Sequence, residues 1–270
     1  MTPLRPRRVA AIVLRHCYLV RGSLSRFFPL FVWVGIDMVL WGFITRYLAT
    51  GSTFRFSLVA ALLGAVLLWD FEARVMQGVT MAFFEDVWAR NFLNFFASPL
   101  RIGEYLAGLV LSSVATSAVG LAVMLLVATT AFGLSFAPYG ALLLPFLLVL
   151  FLFGIALGIG GAAVVLRLGP AAEWFIWPIP AVLSPFACVF YPLATLPGWM
   201  RPIARALPPS YVFEGMRAVL AGRGAPLAPL LAGAALAAAY IVLAAWLFRT
   251  VYRYAVRTGL VARYSAESVS

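Results

Sequence analysis

The most constraining feature of the chain is a series of six apolar stretches that are almost without charged residues. They lie at about Phe27–Thr45, Phe56–Phe71, Tyr105–Phe132, Tyr139–Leu166, Ala171–Tyr191 and Ala228–Phe248. A helix of about 20 apolar residues crosses the roughly 30 Å hydrocarbon core of a bilayer. The stretches therefore predict an all-α integral membrane protein with six transmembrane helices.

Composition supports a membrane protein and excludes a large soluble domain. Hydrophobic residues make up 64% of the 270 residues and charged residues only 11%, whereas a soluble domain carries about 25% charged residues. We predict three regions. Residues 1–26 form an amphipathic cytoplasmic interface helix, residues 27–250 a single six-helix transmembrane domain, and residues 251–270 a cytoplasmic tail.

The distribution of the basic residues predicts the orientation in the membrane. All 20 are arginines, and with both ends inside, 14 of them fall in inner segments and 6 in outer ones. Positive residues concentrate on the cytoplasmic side of membrane proteins, so an N-in, C-in topology is favoured. The net charge of +11 is then a feature of topology, and we expect lipid rather than nucleic acid as a partner.

The rare residue types exclude several kinds of chemistry. The chain contains no lysine, so it lacks the lysine that a Walker A loop places on the phosphates. Cys17, Cys188 and His16 are too few and too scattered for a Cys/His metal site. We therefore expect no bound cofactor or metal and no catalytic residues, and an intramembrane enzyme is a remote alternative.

Residues 4–26 have the pattern of an amphipathic helix. Arg8, Arg15 and Arg26 fall on one face, and the opposite face carries apolar and weakly polar residues, namely Val9, Ile12, Val13, His16, Cys17, Val20 and Leu24. This pattern predicts a helix lying in the cytoplasmic interface. The alternative is a basic flank that only fixes topology.

Two segments between the stretches are too long for simple turns. The inner one, Glu85–Glu104, mixes charges with aromatic residues and is expected to form a short helix with an apolar face. The outer one, Pro192–Arg223, contains prolines that forbid a continuous span, so we predict one or two short helices dipping back into the outer leaflet. The fifth stretch, which precedes it, is expected to be kinked or broken by its own prolines, Pro178, Pro180 and Pro185.

Several polar residues are candidates for function. Asp37, near the middle of the first stretch, costs about 2.5–3.5 kcal/mol to insert, and either lines a pathway or relays protons, or bonds between helices. Asp70, Glu72 and Arg74 end the second stretch, where Asp70 and Arg74 are spaced to pair. These residues either form a solvated helix end or act as a conformational latch.

The outer segment and the fourth stretch carry further candidates. Glu214 and Arg217 are spaced as an ion pair that either holds the outer segment or contacts substrate. Tyr191 and Trp199 are typical of an interfacial aromatic belt, although such side chains also line substrate paths. The glycines of the fourth stretch predict close helix packing; they are Gly154, Gly158 and Gly161.

The stretch Ser184–Leu220 resembles the C-terminal signature of the membrane subunits of ABC-2 type exporters. In that family a proline-broken fifth helix runs into FYPL, then P-x-W, a second LP pair, and an aromatic residue followed by E-G-x-R. The matching residues here are Phe190–Leu193, Pro197–Trp199, Leu207–Pro208, Tyr211, Glu214, Gly215 and Arg217. The inner segment is similar to the family's W-x-R-N…S-P-L…E pattern at Trp88, Arg90, Asn91, Ser98, Pro99 and Glu104.

The resemblance implies a homodimeric permease in the bacterial inner membrane that works with two copies of a separate ABC ATPase. ATP and Mg²⁺ would be used by that partner, and the substrate would be a hydrophobic drug, a lipid or a lipid-linked glycan. The inner segment would be the coupling helix, and its expected ATPase contacts are Glu85, Trp88, Arg90, Asn91, Phe92, Leu93, Phe95, Phe96, Ser98 and Pro99. Candidates for the pathway or its gating are Asp37, Asp70, Glu72, Tyr191, Trp199, Glu214 and Arg217.

One alternative function remains open at this point. A stand-alone secondary transporter or channel would use Asp37 as its ion-coupled group. It would be active without any ATPase, although the chain has no inverted repeat of the kind common in such transporters.

Overall fold

The computed structural model describes residues 5–22, 32, 35–36, 39–44, 47, 56–89, 95, 98–133, 135–169 and 172–260. The regular structure within these ranges is helical. The helices are α1 (Pro6–Arg21), α2 (Phe56–Trp88), α3 (Ile102–Phe132), α4 (Leu143–Leu168), α5 (Glu173–Ile176), α6 (Ile179–Leu183), α7 (Met200–Arg205), α8 (Pro208–Leu220) and α9 (Leu227–Arg257). Short 3₁₀ turns lie at Ala137–Leu142 and Leu193–Thr195.

Three helical segments in the described ranges are long and apolar enough to cross a membrane, and they indicate a membrane protein. They are Ile102–Phe132, Ala137–Leu168 and Leu227–Arg257, which correspond to the third, fourth and sixth predicted stretches. Long apolar runs make these helices predictable from hydropathy alone, and their prolines, Pro138, Pro145 and Pro229, all lie near the beginning of a segment. The last of them continues past the predicted stretch, so residues 251–257, assigned to the tail, are helical.

The second predicted stretch is part of a much longer helix. α2 has 33 residues, about 50 Å at 1.5 Å per residue. Asp70 and Glu72 therefore lie in its interior, and the prediction that they form a solvated helix end is wrong. The helix continues because its buried face does: Val75, Met76, Val79 and Phe83 are each 0% exposed.

The centre of the molecule is α4, which packs against both α2 and α9. A Cβ atom on Gly154 would lie 2.8 Å from the carbonyl oxygen of Glu72, and one on Gly158 would lie 2.7 Å from the Cβ of Val79. The predicted role of these glycines in close helix packing is confirmed. On the other side, the ring of Phe153 meets Tyr240 of α9 edge to face at 5.3 Å.

The fifth predicted stretch is broken, as its prolines indicate. In its described residues, 172–191, the helices are the short α5 and α6, whose apolar part, Trp174–Leu183, has ten residues. The chain then turns through residues 184–192. Within this turn Cys188 has φ +57° and is fully buried.

The outer segment contains the short helices α7 and α8, and α8 packs against α9. The hydroxyl of Tyr240 donates to the carbonyl of Ala206, which joins α7 to α8, at 3.2 Å. The beginning of α8 lies beside Gly233, because a Cβ atom there would be 3.5 Å from the carbonyl oxygen of Pro208. Gly233 is six residues after Leu227, about 9 Å along α9. From there α8 runs beside α9 until Gly215 lies close to Pro226.

Candidate functional site

A buried charged cluster joins α1 to the C-terminal end of α2 and the N-terminal end of α3. We call it the α1 junction and define it by Arg8, Arg15, Asp86, Glu104 and Tyr105. Its five side chains come from three helices, and two of its carboxylates are almost completely removed from solvent. Each of those carboxylates is nevertheless satisfied by several donors.

Glu104, in the first turn of α3, is the first of these carboxylates and is 0% exposed. It accepts hydrogen bonds from the backbone N–H of Arg5 and of Arg101, both at 3.0 Å. Arg8 adds an ion pair at 3.2 Å and also donates to the carbonyl of Pro99. A carboxylate at this position caps the positive end of the helix, so Glu104 fixes the start of both α1 and α3.

Asp86, near the end of α2, is the second and is 1% exposed. One oxygen accepts from the guanidinium of Arg15 at 2.6 Å, and the other accepts from the hydroxyl of Tyr105 at 2.7 Å. The Arg15 guanidinium also lies 5.0 Å from the ring centre of Phe95. Asp86 therefore connects α1, α2 and α3 through charge-assisted bonds, the strong class of hydrogen bond.

Apolar packing holds α1 in the same place. Val9 and Ile12 are buried, and a Cβ atom on Gly108 of α3 would lie 2.5 Å from the Ile12 side chain. The helix is therefore seated directly on the backbone of α3.

Residues Pro6–Arg21 are helical, as predicted within residues 4–26, and Val9 and Ile12 of the predicted apolar face are buried. Some residues were nevertheless assigned to the wrong face. Arg8 and Arg15, placed on the polar face, point into the protein because Glu104 and Asp86 neutralise them. Cys17, placed on the apolar face, is exposed, as are Leu14 and Tyr18. Periodicity did not reveal this because the buried partners are distant in sequence.

The predicted ATPase contacts lie beside the α1 junction, as far as they are described. Glu85 and Trp88 belong to the last turn of α2 rather than to a separate short helix, and Trp88 is 48% exposed. The Ser98 hydroxyl donates to the carbonyl of Phe95 at 2.6 Å, and with Pro99 it turns the chain into α3. The other predicted contacts lie outside the described residues: Arg90, Asn91, Phe92, Leu93 and Phe96.

At the other end of the bundle, Arg217 of α8 forms hydrogen bonds to the turn that follows α6. It donates to the carbonyls of Cys188, Val189 and Tyr191 and pairs with Glu214 at 3.0 Å. Glu214 also accepts from the N–H of Leu193 at 2.8 Å. The predicted ion pair is confirmed, and its geometry is that of a clamp between α8 and the preceding turn.

The two aromatic candidates near this clamp differ in exposure. Trp199 is 67% exposed, and its ring meets Phe186 at 6.5 Å. Tyr191 is partly buried and donates from its hydroxyl to the carbonyl of Pro185 at 2.6 Å. Tyr191 therefore braces the turn, whereas Trp199 faces outward.

The candidates within α2 separate into a pair and a lone carboxylate. Arg74 donates to Asp70 at 2.7 Å, which confirms that predicted pair. Glu72 is 0% exposed, and neither of its carboxylate oxygens has a hydrogen-bond partner among the described residues. Asp37 lies outside the described residues.

Sequence reasoning did not select Arg8, Arg15, Asp86 or Tyr105 as functional. Asp86 had one usable signal, since it is an acidic residue between Phe84 and Val87 in a segment of helical periodicity. Among the described residues no group of three or more His, Cys, Asp or Glu side chains is placed to hold a metal ion.

The fold and these clusters define a helical membrane protein with a charged junction at one end and a clamped turn at the other. Comparison with models of known protein families gives no match, and comparison with curated proteins gives none either.

Proposed function

We propose that the chain is the membrane-spanning subunit of an ATP-driven exporter of the ABC-2 type. It crosses the bacterial inner membrane six times with both ends inside, forms a homodimer and is powered by a separate ABC ATPase. The observation that carries the proposal is the α1 junction. It joins α1, α2 and α3 into one body directly beside the segment that resembles a coupling helix.

The junction gives the proposed motor a mechanical connection to the membrane domain. ATP binding by the partner would displace residues 85–99, which contain Asp86 and adjoin Glu104. Because α2 continues without a break from Asp86 to Trp69, the displacement would reach the ring contact between Trp69 and Phe213 of α8, where the centroids are 6.3 Å apart. Movement at the inner end is thereby coupled to the outer helices.

In this proposal the substrate is a hydrophobic molecule, a lipid or a lipid-linked glycan that leaves past α7 and α8. We assign Glu214 and Arg217 to holding the outer helices rather than to contacting the substrate, since Oε1 of Glu214 and both terminal nitrogens of Arg217 bind each other or backbone groups. Trp199 is free to face the path. A second copy of the chain is proposed to cover the first stretch, whose exposed side chains include Ile36, Val39, Leu40, Phe43 and Tyr47.

The test is co-purification in nanodiscs with the ABC ATPase encoded nearest to the gene. Wild type is expected to retain the ATPase, and Phe92→Asp is expected to lose it while remaining folded, because a charge replaces an apolar docking group. Thr258→Asp, at an exposed site just beyond α9, is the matched control and should behave as wild type. ATP-dependent export should fail only in the Phe92 variant.

The opposite results would contradict the proposal. If wild type binds no ATPase, or if Phe92→Asp binds and exports normally, residues 85–99 are not a docking segment. Those results would favour the alternative of an ion-coupled transporter using Asp37. The buried Glu72, whose carboxylate has no hydrogen-bond partner among the described residues, supports that alternative. That alternative predicts ion flux in liposomes without an ATPase and its loss in Asp37→Asn and Glu72→Gln.

A further inference from the structure

Glu72 of α2 lies near the middle of the apolar helices. A Cβ atom on Gly154 of α4 would be 2.8 Å from the carbonyl oxygen of Glu72. Gly154 belongs to the apolar segment Ala137–Leu168, which is long enough to cross a membrane. The nearer end of that segment, Leu168, is 14 residues away, about 21 Å along the helix. The backbone of Glu72 is therefore far from both ends of the segment.

A contact with α3 gives the same result for Arg74, two residues further along α2. A Cβ atom on Gly120 of α3 would be 3.8 Å from the Cδ atom of Arg74. Gly120 is 12 residues from the nearer end of α3, Phe132, about 18 Å along the helix. Because α3 and α4 are both long and apolar enough to span a membrane, two separate contacts place residues 72–74 deep in the membrane domain.

The carboxyl group of Glu72 lacks a neutralising partner at this depth. Glu72 is 0% exposed, and neither of its carboxyl oxygens has a hydrogen-bond partner in the described part of the chain. The cation two residues away, Arg74, instead forms an ion pair with Asp70 at 2.7 Å. Glu72 is therefore set apart from the charges on its own helix.

The described helices that pack against α2 bring no counter-ion to Glu72. The single charged residue of α4, Arg167, lies in the last turn of that helix, and that of α3, Glu104, lies in its first turn. The charged residues of α8 are Glu214 and Arg217, which pair with each other. An ionised Glu72 would therefore be uncompensated within the described part of the chain.

An ionised carboxylate is strongly disfavoured in such a place, because no partner offsets its removal from water. A protonated carboxyl carries no net charge, and buried acids without partners become neutral for this reason. We infer that Glu72 is a proton-binding site, whose carboxyl holds a proton while α2 is packed against α4. The inference goes beyond the proposed export function, because it requires neither an ATPase nor a substrate.

The packing of α2 against α4 then controls access to the bound proton. If the two helices separate and water enters, the carboxyl releases its proton to water and becomes a hydrated carboxylate. When the helices pack again, the carboxylate takes a proton back from water. A movement of α2 is thus accompanied by proton exchange in the middle of the membrane domain.

The first test is infrared spectroscopy of the purified chain in an alkyl maltoside, a detergent without ester carbonyl groups. The spectrum is recorded near neutral pH, where a carboxyl group in water is ionised. A protonated carboxyl shows a carbonyl stretch that a carboxylate lacks. Wild type should show this band, and Glu72→Gln should lose it. The matched control is Glu85→Gln, a partly exposed acid in the last turn of α2, which should keep the band.

A second variant makes the assignment independent of the folding of Glu72→Gln. Glu72→Asp keeps a carboxyl group, so its band should shift when the aspartates are isotope-labelled, whereas the wild-type band should not. Absence of the band from wild type, its persistence in Glu72→Gln, or its loss in Glu85→Gln would each overturn the inference.

Deuterium exchange tests the connection to helix packing. In deuterated water the band shifts when deuterium replaces the carboxyl proton, and wild type should exchange slowly because water is excluded. Gly154→Ala forces a Cβ atom against the carbonyl oxygen of Glu72 and should speed the exchange several-fold. Gly160→Ala, whose Cβ atom would meet nothing within 4 Å, should exchange as wild type does. Equal rates in the two variants would overturn the control of proton access by packing.

These spectra are recorded without an ATPase, so they are independent of the co-purification experiment. A carboxyl band assigned to Glu72 in a chain that binds no ATPase would support the proton site and contradict the exporter proposal. ATPase binding by a chain without the band would support the exporter proposal and overturn the proton site.

Discussion

Three buried carboxylates differ in the number of hydrogen-bond donors that surround them. Glu104 and Asp86 are each surrounded by donors from other segments, so their burial stabilises one arrangement of α1, α2 and α3. Glu72 has no such donors in the described part of the chain, and burying an ionised carboxylate without a partner is unfavourable. The first two therefore have the surroundings of structural groups, whereas Glu72 is placed where a change of helix packing would alter its environment.

The pair between Arg15 and Asp86 should be strongly coupled. Asp86→Asn leaves the partly exposed Arg15 guanidinium without its counter-ion and weakens charge-assisted hydrogen bonds, which should cost about 1.5–3 kcal/mol. We expect a lower melting temperature in detergent and faster proteolysis within α1. The double variant with Arg15→Gln should lose less than the two single losses added together, with a coupling of roughly 0.5–3 kcal/mol; simple additivity would show that the contact contributes little.

At the scale of helices, small residues set the distance between α2 and α4. Gly154 and Gly158 lie one turn apart on α4, and both face the backbone of α2. Because no side chain separates the two helices there, the peptide groups approach closely, and any added carbon must displace a neighbour. This contact keeps the long α2 aligned with the centre of the bundle.

Gly158→Ala should therefore destabilise the protein by about 1–3 kcal/mol, the usual cost of overpacking a tight contact. A Cβ there would lie 2.7 Å from Val79 and 2.9 Å from the carbonyl of Met76. Gly160→Ala is the control on the same helix, because its Cβ would meet nothing within 4 Å. It should be neutral or stabilising by up to about 1 kcal/mol. Equal melting temperatures for the two variants would contradict the packing argument.

The helices were far more predictable than the contacts between them. α3, α4 and α9 follow from uninterrupted apolar runs, and the break before Pro178 follows from proline chemistry. The α1 junction could not be predicted in this way, because Arg15 and Asp86 are 71 residues apart. Helical periodicity carries no information on partners at that distance. The same limit explains why Asp70 and Glu72 were predicted to lie at a helix end. The prediction used their charge alone, whereas the helix continues because residues further along α2 are buried.

On the scale of the whole molecule, the described helices define two ends. One end holds the α1 junction and the last turns of α2 and α9. The last turns of α9 carry Arg249, Arg253 and Arg257. The other end holds the turn between α8 and α9. The arginine count predicts that the first end lies in the cytoplasm, and the exporter proposal depends on that predicted orientation.

Cysteine labelling tests this orientation. Cys17 is exposed on α1, whereas Cys188 is 0% exposed and should stay silent. A membrane-impermeant maleimide should label Cys17 only after the cells are opened. In a Cys17→Ser background, Arg223→Cys should react in intact cells and Thr258→Cys should not. Labelling of both new sites from the same side would contradict the N-in, C-in topology.

The continuity of α2 also limits how the molecule is able to move. Between Asp86 and Trp69 the helix contains no proline, so it has no hinge at which to absorb a displacement. A shift of one end must then appear at the other, some 25 Å away, as in a rigid rod. A displacement of α2 at Asp86 is therefore expected to move its aromatic contact with α8 as well, whereas release of α1 alone would leave that contact unchanged.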